Sequence, residues 1–404
     1  MNNGKVLISG AGIAGPALAY WLGRLGYRPT VVEIAPALRG GGQAVDFRGE
    51  THLTVLERMG LLPELRRIQT GGSPMAFVDE RGRRLLELPG EFNGGALEVP
   101  RGELSRVLYR HSLPYTDYLF GDTVTGLTET PDGVRVTFRH AEPATFDLVF
   151  GADGLHSTVR RLAFGPERDF VTHLGYYVAT WELPHHGPAT GSVGLNVPGR
   201  LAAVGAGPQG PGRSRTLFVF ASPERDHHRH DPDQHKRLIT EAFTGLGWEV
   251  PRLLDSLRRT EELYFDSISR AVAPRWSTGR IALLGDAASG TTLGGMGTGM
   301  GIVAAHVLAG ELALAGGDHR TAFPRYQQRL ARYARICRKG NAGRFLAPRT
   351  AHGLRLRNGL LSRPLMMKGM LKAAEQVASA ELPAYPFPNA DVPSAGTAAK
   401  GTSA

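Results

Sequence analysis

The chain predicts an α/β protein whose principal sheet is assembled from discontinuous segments, with an inserted β-sheet and a helical C-terminal region. Three observations predict it. Apolar, strand-like runs end in Gly-rich or Gly-Asp turns at Ile8, Phe150 and Leu284. Helical periodicity follows the first turn, and a second strand follows the helix, as in a parallel βαβ unit. Other strand-like runs, at 75–88 and within 170–266, cluster apart from these three.

The first unit spans Lys5 to Glu33. Lys5-Val6-Leu7-Ile8 reads as a buried strand, and Gly10, Gly12 and Gly15 follow in G-x-G-x-x-G spacing, with Ile13 and Ala14 in the turn. A helix carries Ala17, Leu18, Trp21, Leu22 and Leu25 and stops near Gly26, and the strand Thr30-Val31-Val32 ends at Glu33. In a Rossmann-like unit one glycine permits the tight turn, one lets backbone approach a pyrophosphate, and one lets helix and strand pack closely. The helix N-terminus adds free N–H groups and a positive dipole end. Glu33 lies about 20 residues beyond the glycines, where a carboxylate accepts from a ribose diol. Which dinucleotide binds is open at this stretch.

The second unit, Phe146 to Phe150, runs into Gly151-Ala152-Asp153-Gly154; the third, Arg280 to Leu284, ends at Gly285-Asp286. The glycine-dense turn Gly294 to Gly301 then opens a helix with Ile302, Val303, Val307, Leu308 and Leu312. A turn of that kind makes a positive surface that a ligand can approach closely. Between the units, Thr51 to Leu62 has helical spacing, and Met75–Val78 with Leu85–Leu88 reads as a hairpin of another sheet. Val124–Leu127, Val134–Phe138 and Phe146–Phe150 read as three strands. Arg101 opens a helix carrying Leu104, Val107 and Leu108, an end where the dipole disfavours a cation, so its charge is expected to face an anion. Arg39 is open to a phosphate or to solvent, and Asp46 to a turn or a cofactor.

In the 170–266 block, Tyr177, Trp181, Phe218 and Phe220 fit one wall of a sheet, as core or as a substrate wall. His227, His228, His230 and His235 have no flanking cysteine and sit among turn residues, so no metal is expected there or at His185-His186. Phe323 to about Ala380 reads as helical and basic.

Bulk properties exclude several classes. At 404 residues, with 42% hydrophobic and 21% charged residues, a sizeable core is expected. No run of about 18 apolar residues is seen, so membrane insertion is not expected, and the N-terminus enters a strand without a signal-peptide pattern. Cys337 is the sole cysteine, which forbids an intrachain disulfide and favours a reducing, cytoplasmic setting. The net charge is +10 and the pI about 9.9; the cations read as scattered and lack a recognition motif, which favours anionic cofactors and surface solvation over nucleic acid.

Taken in order, Gly10-x-Gly12-x-x-Gly15 with Glu33, then Asp153-Gly154, then Gly285-Asp286 resemble the class A FAD-dependent monooxygenases, the p-hydroxybenzoate hydroxylase-like group that includes the tetracycline-inactivating monooxygenases. The resemblance covers about residues 4–340. It implies a discontinuous FAD-binding domain (1–72, 97–169 and 267–340) and a substrate-binding sheet domain (73–96 and 170–266); beyond it the residues themselves suggest a C-terminal helical region (341–388) and, from its small and polar composition, a disordered tail (389–404). By resemblance, Gly10, Gly12 and Gly15 would hold the FAD pyrophosphate, with Ile13 and Ala14 between them, and Glu33 the adenosine ribose. Arg39 and Arg101 would contact the cofactor, Asp153 would link the pyrophosphate region to the nicotinamide cofactor, and Asp286 would bind the ribityl chain. The helix start at Gly297-Thr298 would face the flavin pyrimidine ring. Tyr177, Trp181, Phe218, Phe220 and Met296 are the substrate candidates; no catalytic side chain is named.

The implied reaction uses NAD(P)H and O2 to oxygenate an aromatic or polyketide-like molecule through a flavin C4a-hydroperoxide. The cofactor carries the hard chemistry, so no side-chain triad is required. Ser289 and Thr292 stand where the family commonly has a His or aromatic residue and a Pro, and Met296 where Gln or Glu is common. These departures keep open a flavin-binding carrier or cyclase without redox turnover; the nearest enzyme alternative is a reductase or dehydrogenase of the same fold, of the geranylgeranyl reductase type. A homodimer is also left open.

Overall fold

The computed structural model describes residues 4–40, 44–188, 190–207, 212–226, 231–293, 296–377 and 382–387. The expected disordered tail 389–404, the His227–His230 run and Gly294-Gly295 lie outside the described residues.

The principal sheet has six strands in the order Ser277–Thr278, Ile281–Leu283, Leu148–Gly151, Lys5–Ser9, Arg28–Glu33, Asp117–Phe120. All pair in parallel except the Ser277–Thr278 edge. Val6, Leu7 and Ile8 are wholly buried because helices cover both faces of such a sheet. The helix Ala14–Arg24 packs on the helix Gly297–Leu314. The latter is long and apolar enough to cross a membrane by composition alone, but 78% of it is buried inside the protein, which makes it a core helix.

Three strand ends thus meet at one edge of the principal sheet. Ser9 pairs with Gly151, and Gly151 with Leu283, so the turns after Ile8, Phe150 and Leu283 emerge side by side. In open parallel sheets, ligands bind at these carboxyl ends.

The second sheet has eight strands in the order Ser289–Thr291, Leu263–Val272, Val171–Pro184, Arg213–Ala221, Arg200–Ala206, Ser192–Val197, Met75–Val78, Arg84–Leu88. The expected hairpin joins it in parallel through Met75–Val78 beside Ser192–Val197. The strand Leu263–Val272 carries the sheet past residue 266, where the sequence suggests a domain boundary. One face is covered by the helices Pro232–Phe243 and Val250–Arg259; the other packs against Ala347, Leu361 and Met367 of the C-terminal region.

Four sequence expectations are corrected. The run Phe146–Phe150 is two strands: Ala144–Phe146 belongs to a three-stranded sheet and Leu148–Gly151 to the principal one. Asp147 makes the transition, its side chain accepting the Lys5 N–H at 2.7 Å and its own N–H donating to the Lys5 carbonyl at 2.8 Å. The helix expected over 51–62 is Gly49–Arg58, ended by Gly60 at φ 73°, with Leu62–Arg67 a separate turn of helix. Asp46, open in the sequence to a turn, lies instead in the strand Ala44–Phe47, paired with Leu97–Pro100. Residues 382–387 form no helix, and Tyr385 and Phe387 pack against His306.

Candidate active site

Each motif glycine has a separate physical requirement. Gly10 sits at φ 104°, and a Cβ there would lie 2.6 Å from the Ala152 carbonyl oxygen. A Cβ on Gly15 would overlap the Gly10 carbonyl oxygen. Gly12 differs: a Cβ would meet nothing within 4 Å and the backbone is not left-handed. The protein's own packing therefore requires Gly10 and Gly15, whereas the space at Gly12 is open to a ligand. The helix starts after Ile13 with no side-chain cap, so Ile13, Ala14 and Gly15 belong to an uncapped helix N-terminus. Ser105, on the helix Arg101–Ser112, donates to the Gly12 carbonyl at 3.3 Å and ties that helix to the turn.

Glu33 stands at the next strand end with its carboxylate 12% exposed. It accepts the Ala11 N–H at 2.8 Å and the Ala35 N–H at 3.0 Å. A carboxylate offers about four acceptor sites, so capacity remains for a diol. Arg39 is 3.7 Å away and 71% exposed, held in a weak surface pair.

Asp153 is built into the protein. It accepts from Ser9 Oγ at 3.2 Å, from Ser157 Oγ, and from the Val159 N–H at 3.1 Å. Burial pushes its carboxyl above the usual range, against the pull of those hydrogen bonds. Arg160, fully buried, donates to the Ala287 carbonyl at 2.9 Å and to the Leu155 carbonyl at 2.6 Å. The second turn is thereby bolted to the third.

The third turn carries the least satisfied group. Asp286 Oδ1 is buried and has no hydrogen-bond partner among the described residues. Burial raises its carboxyl pKa, opposed by the charge of Arg101. A Cβ on Gly290 would overlap that carboxylate, and one on Gly297 would stand 3.2 Å from Oδ1. The carboxylate thus lies at the mouth of the helix Gly297–Leu314, which begins after Met296 without a side-chain cap, Thr298 following in its first turn. Arg101 is exposed at the head of its own helix, and its charge opposes the upward push of burial on the Asp286 carboxyl. Gly102 allows the Gly40 carbonyl to lie against that helix start.

Sequence reasoning missed several groups. Tyr264 is 46% exposed, yet its phenol pKa is raised by burial, with the charges of Asp266, Arg101 and Asp286 also acting on it. Its hydroxyl lies 3.5 Å from Asp266 Oδ2, to which it donates. His156 bridges Glu167 at 3.1 Å and Asp266 at 3.2 Å, joining the second turn to the large sheet. His52 fills the space beside Gly299, where a Cβ would overlap its ring. Burial lowers its pKa to about 4; Nδ1 accepts the Arg48 N–H at 3.2 Å, which leaves Nε2 protonated and 2.6 Å from Tyr333 Oη. No periodicity signals these contacts, which join segments up to 281 residues apart.

Ser289 and Thr292 have protein partners. Ser289 pairs with Val272 in the sheet and accepts from Arg338 at 3.1 Å; Thr292 Oγ1 donates to the Ser267 carbonyl at 3.0 Å. Asp46 pairs with Arg48 in the strand Ala44–Phe47 and its flank.

The four aromatics are core rather than substrate wall. Tyr177, Trp181, Phe218 and Phe220 share the face beneath the helices Pro232–Phe243 and Val250–Arg259 and are at most 5% exposed. The Trp181 ring packs tilted at 58° against Phe218, centroids 4.7 Å apart, and Phe218 lies 4.5 Å from Phe243. Met296 is half-buried against the principal core. His186 pairs with Glu249, His235 is buried on Phe265, and no three His, Cys, Asp or Glu among the described residues are grouped to hold a metal.

Residues 3–339, the stretch that contains all three turns, match the family described as FAD binding domain. The chain belongs to the class A FAD-dependent monooxygenases. A flavin-dependent monooxygenase of Legionella longbeachae is 33% identical over 335 residues, covering 81% of this chain and 85% of that protein. An uncharacterised protein of Mycobacterium tuberculosis is 39% identical over 339 residues, covering 80% of this chain and 88% of its own. The crystal structure of tetracycline destructase Tet(55) superposes with a TM-score of 0.80 at 31% identity, covering 94% of this chain and 98% of that one.

The residues present fit FAD. The open approach at Gly12 and the uncapped helix suit a pyrophosphate, Glu33 suits a ribose, and the orphaned Asp286 oxygen suits hydroxyl donors.

Proposed function

We propose that this flavoprotein uses NAD(P)H and O2 to hydroxylate, or otherwise oxygenate, an aromatic or polyketide-like small molecule, in secondary metabolism or antibiotic modification. The observation that carries the reading is the unpartnered Asp286 oxygen, set between Arg101 and an uncapped glycine-led helix. An isolated buried acceptor is unfavourable unless a donor meets it, and a polyhydroxylated chain supplies donors.

In this reading Gly10, Gly12, Ile13, Ala14 and Gly15 bind the pyrophosphate, Glu33 the adenosine ribose and Asp286 the ribityl hydroxyls. Arg39 and Arg101 offset phosphate charge, and the Asp153 turn lies on the nicotinamide side. FAD supplies electron transfer and O2 activation when bound. The N–H groups of Gly297 and Thr298 stabilise negative charge near the pyrimidine edge through the helix dipole. The similarity to tetracycline destructases across nearly the whole chain supports a polycyclic, oxygen-rich substrate. The bonds made by Ser289 and Thr292 within the protein support a cradle that tolerates their departure from the common pattern.

The test is NADPH oxidation and O2 uptake by the purified yellow protein across a panel of phenolic polyketides. Substrate-stimulated O2 uptake with a product heavier by one oxygen atom is expected. NADPH oxidation giving a reduced organic product without oxygen overturns the proposal in favour of a reductase, and no redox response overturns it in favour of a carrier or cyclase.

A further inference from the structure

The cations of this chain are not scattered. Between His319 and Ala374 stand fourteen Lys and Arg and not one Asp or Glu. The remaining residues hold thirty-three Lys and Arg against thirty-seven Asp and Glu, so the rest of the chain is slightly acidic. The whole positive excess therefore belongs to one segment.

The end of that segment also carries five of the eleven exposed large apolar side chains among the described residues. Its two last helices are Ala351–Leu361 and Pro364–Val377. Their inner residues Leu354, Leu361 and Met367 are buried, and Leu361 and Met367 pack on the large sheet. Arg357 pins the first helix to that sheet, donating to Asn196 Oδ1 at 2.5 Å and to the Phe345 carbonyl at 2.9 Å. The outer face shows the opposite pattern. Leu365 is 85% exposed, and Leu356, Leu360, Met366 and Met370 are exposed with it. Arg355, Arg363, Lys368 and Lys372 stand exposed among them and have no ion-pair partner among the described residues.

We propose that the outer face of these two helices docks on the surface of an anionic lipid bilayer. Exposed Leu and Met enter the headgroup boundary while Lys and Arg meet lipid phosphates, the combination by which interfacial helices bind. Charge complementarity selects this occupant. A second copy packed on the same face would oppose cation to cation. A nucleic acid would use the cations, but it would leave the exposed Leu and Met against water and find no Phe, Tyr or Trp on these two helices for base stacking. The anchoring through Arg357 keeps the face rigid, so docking requires no rearrangement of the sheet over the site.

The test is co-sedimentation of the full-length, FAD-loaded protein with phosphatidylcholine vesicles, with and without about 30 mol% phosphatidylglycerol. Binding to the anionic vesicles alone is expected, with release at about 0.5 M salt. Lys368→Gln with Lys372→Gln should weaken binding about thirtyfold. Leu365→Ser with Met366→Ser should weaken it while leaving its salt dependence in place. Unchanged flavin absorbance shows that the variants are folded. The proposal is overturned by equal sedimentation with both vesicle types or with neither, or by tighter binding to a short DNA duplex. It is also overturned if the protein proves to be a dimer that Leu365→Ser dissociates. These readouts require no turnover and stand apart from the substrate assignment.

Discussion

Replacing Gly12 with alanine separates the needs of the cofactor from those of the fold. A Cβ at this position meets no protein atom within 4 Å and the backbone is not left-handed. The folded apo-protein should therefore tolerate alanine and gain about 0.4–1 kcal/mol from the restricted unfolded chain. The melting temperature of the apo-protein should stay level or rise by a degree or two. FAD should bind more weakly, because the methyl group occupies the approach to the pyrophosphate. Loss of one charge-assisted hydrogen bond is about 1.5–3 kcal/mol, or about 10- to 150-fold in Kd. Gly15→Ala is the control. Its methyl overlaps the Gly10 carbonyl oxygen, so the fold itself should lose about 1–3 kcal/mol. Thermal melts of both apo-proteins and FAD titrations followed by flavin fluorescence give the two numbers. Wild-type FAD affinity in Gly12→Ala, or a melting loss matching that of Gly15→Ala, would refute the assignment of distinct roles to the two glycines.

Other predictions use the buried charges. Asp286 has a raised pKa in the folded protein, so the folded state holds its proton more tightly and stability falls as pH climbs from the ordinary carboxylate range through the raised value. Asp286→Asn cannot ionise. Its apo-form should melt above wild type beyond that window and level with it at lower pH, while binding FAD less tightly. His52 titrates with the opposite sign: its pKa is lowered to about 4, so stability is lost as pH falls from about 6.5 through that value. Urea unfolding at a series of pH values should show His52→Gln closing on wild type by about 3 kcal/mol between neutral pH and about pH 4. Arg160→Met leaves the Ala287 and Leu155 carbonyls without their donor, and urea unfolding should show a loss of about 3 kcal/mol, with weaker FAD binding because the third turn is freed.

The glycine turns were legible because their demands are local. Spacing, a positive φ at Gly10 and a strand before each turn are written in neighbouring residues. The helix-dipole argument at Arg101 is equally local, since it concerns a single helix end. What failed was non-local. The apolar run around Asp147 gave no sign that two sheets divide it. Alternation put Tyr177, Trp181, Phe218 and Phe220 on one face, but only the helices Pro232–Phe243 and Val250–Arg259 decide that the face is covered. Tyr264, His52 and His156 act through partners distant in sequence, and no pattern marks them. The basic C-terminal segment was readable throughout, but only after charge is summed by segment rather than over the chain.

The most direct measurement is a crystal structure of the FAD complex. The account predicts the pyrophosphate against Gly12, the adenosine ribose hydrogen-bonded to Glu33 and the ribityl hydroxyls meeting Asp286 Oδ1. FAD lodged elsewhere, or bound with Asp286 still unpartnered, would contradict it.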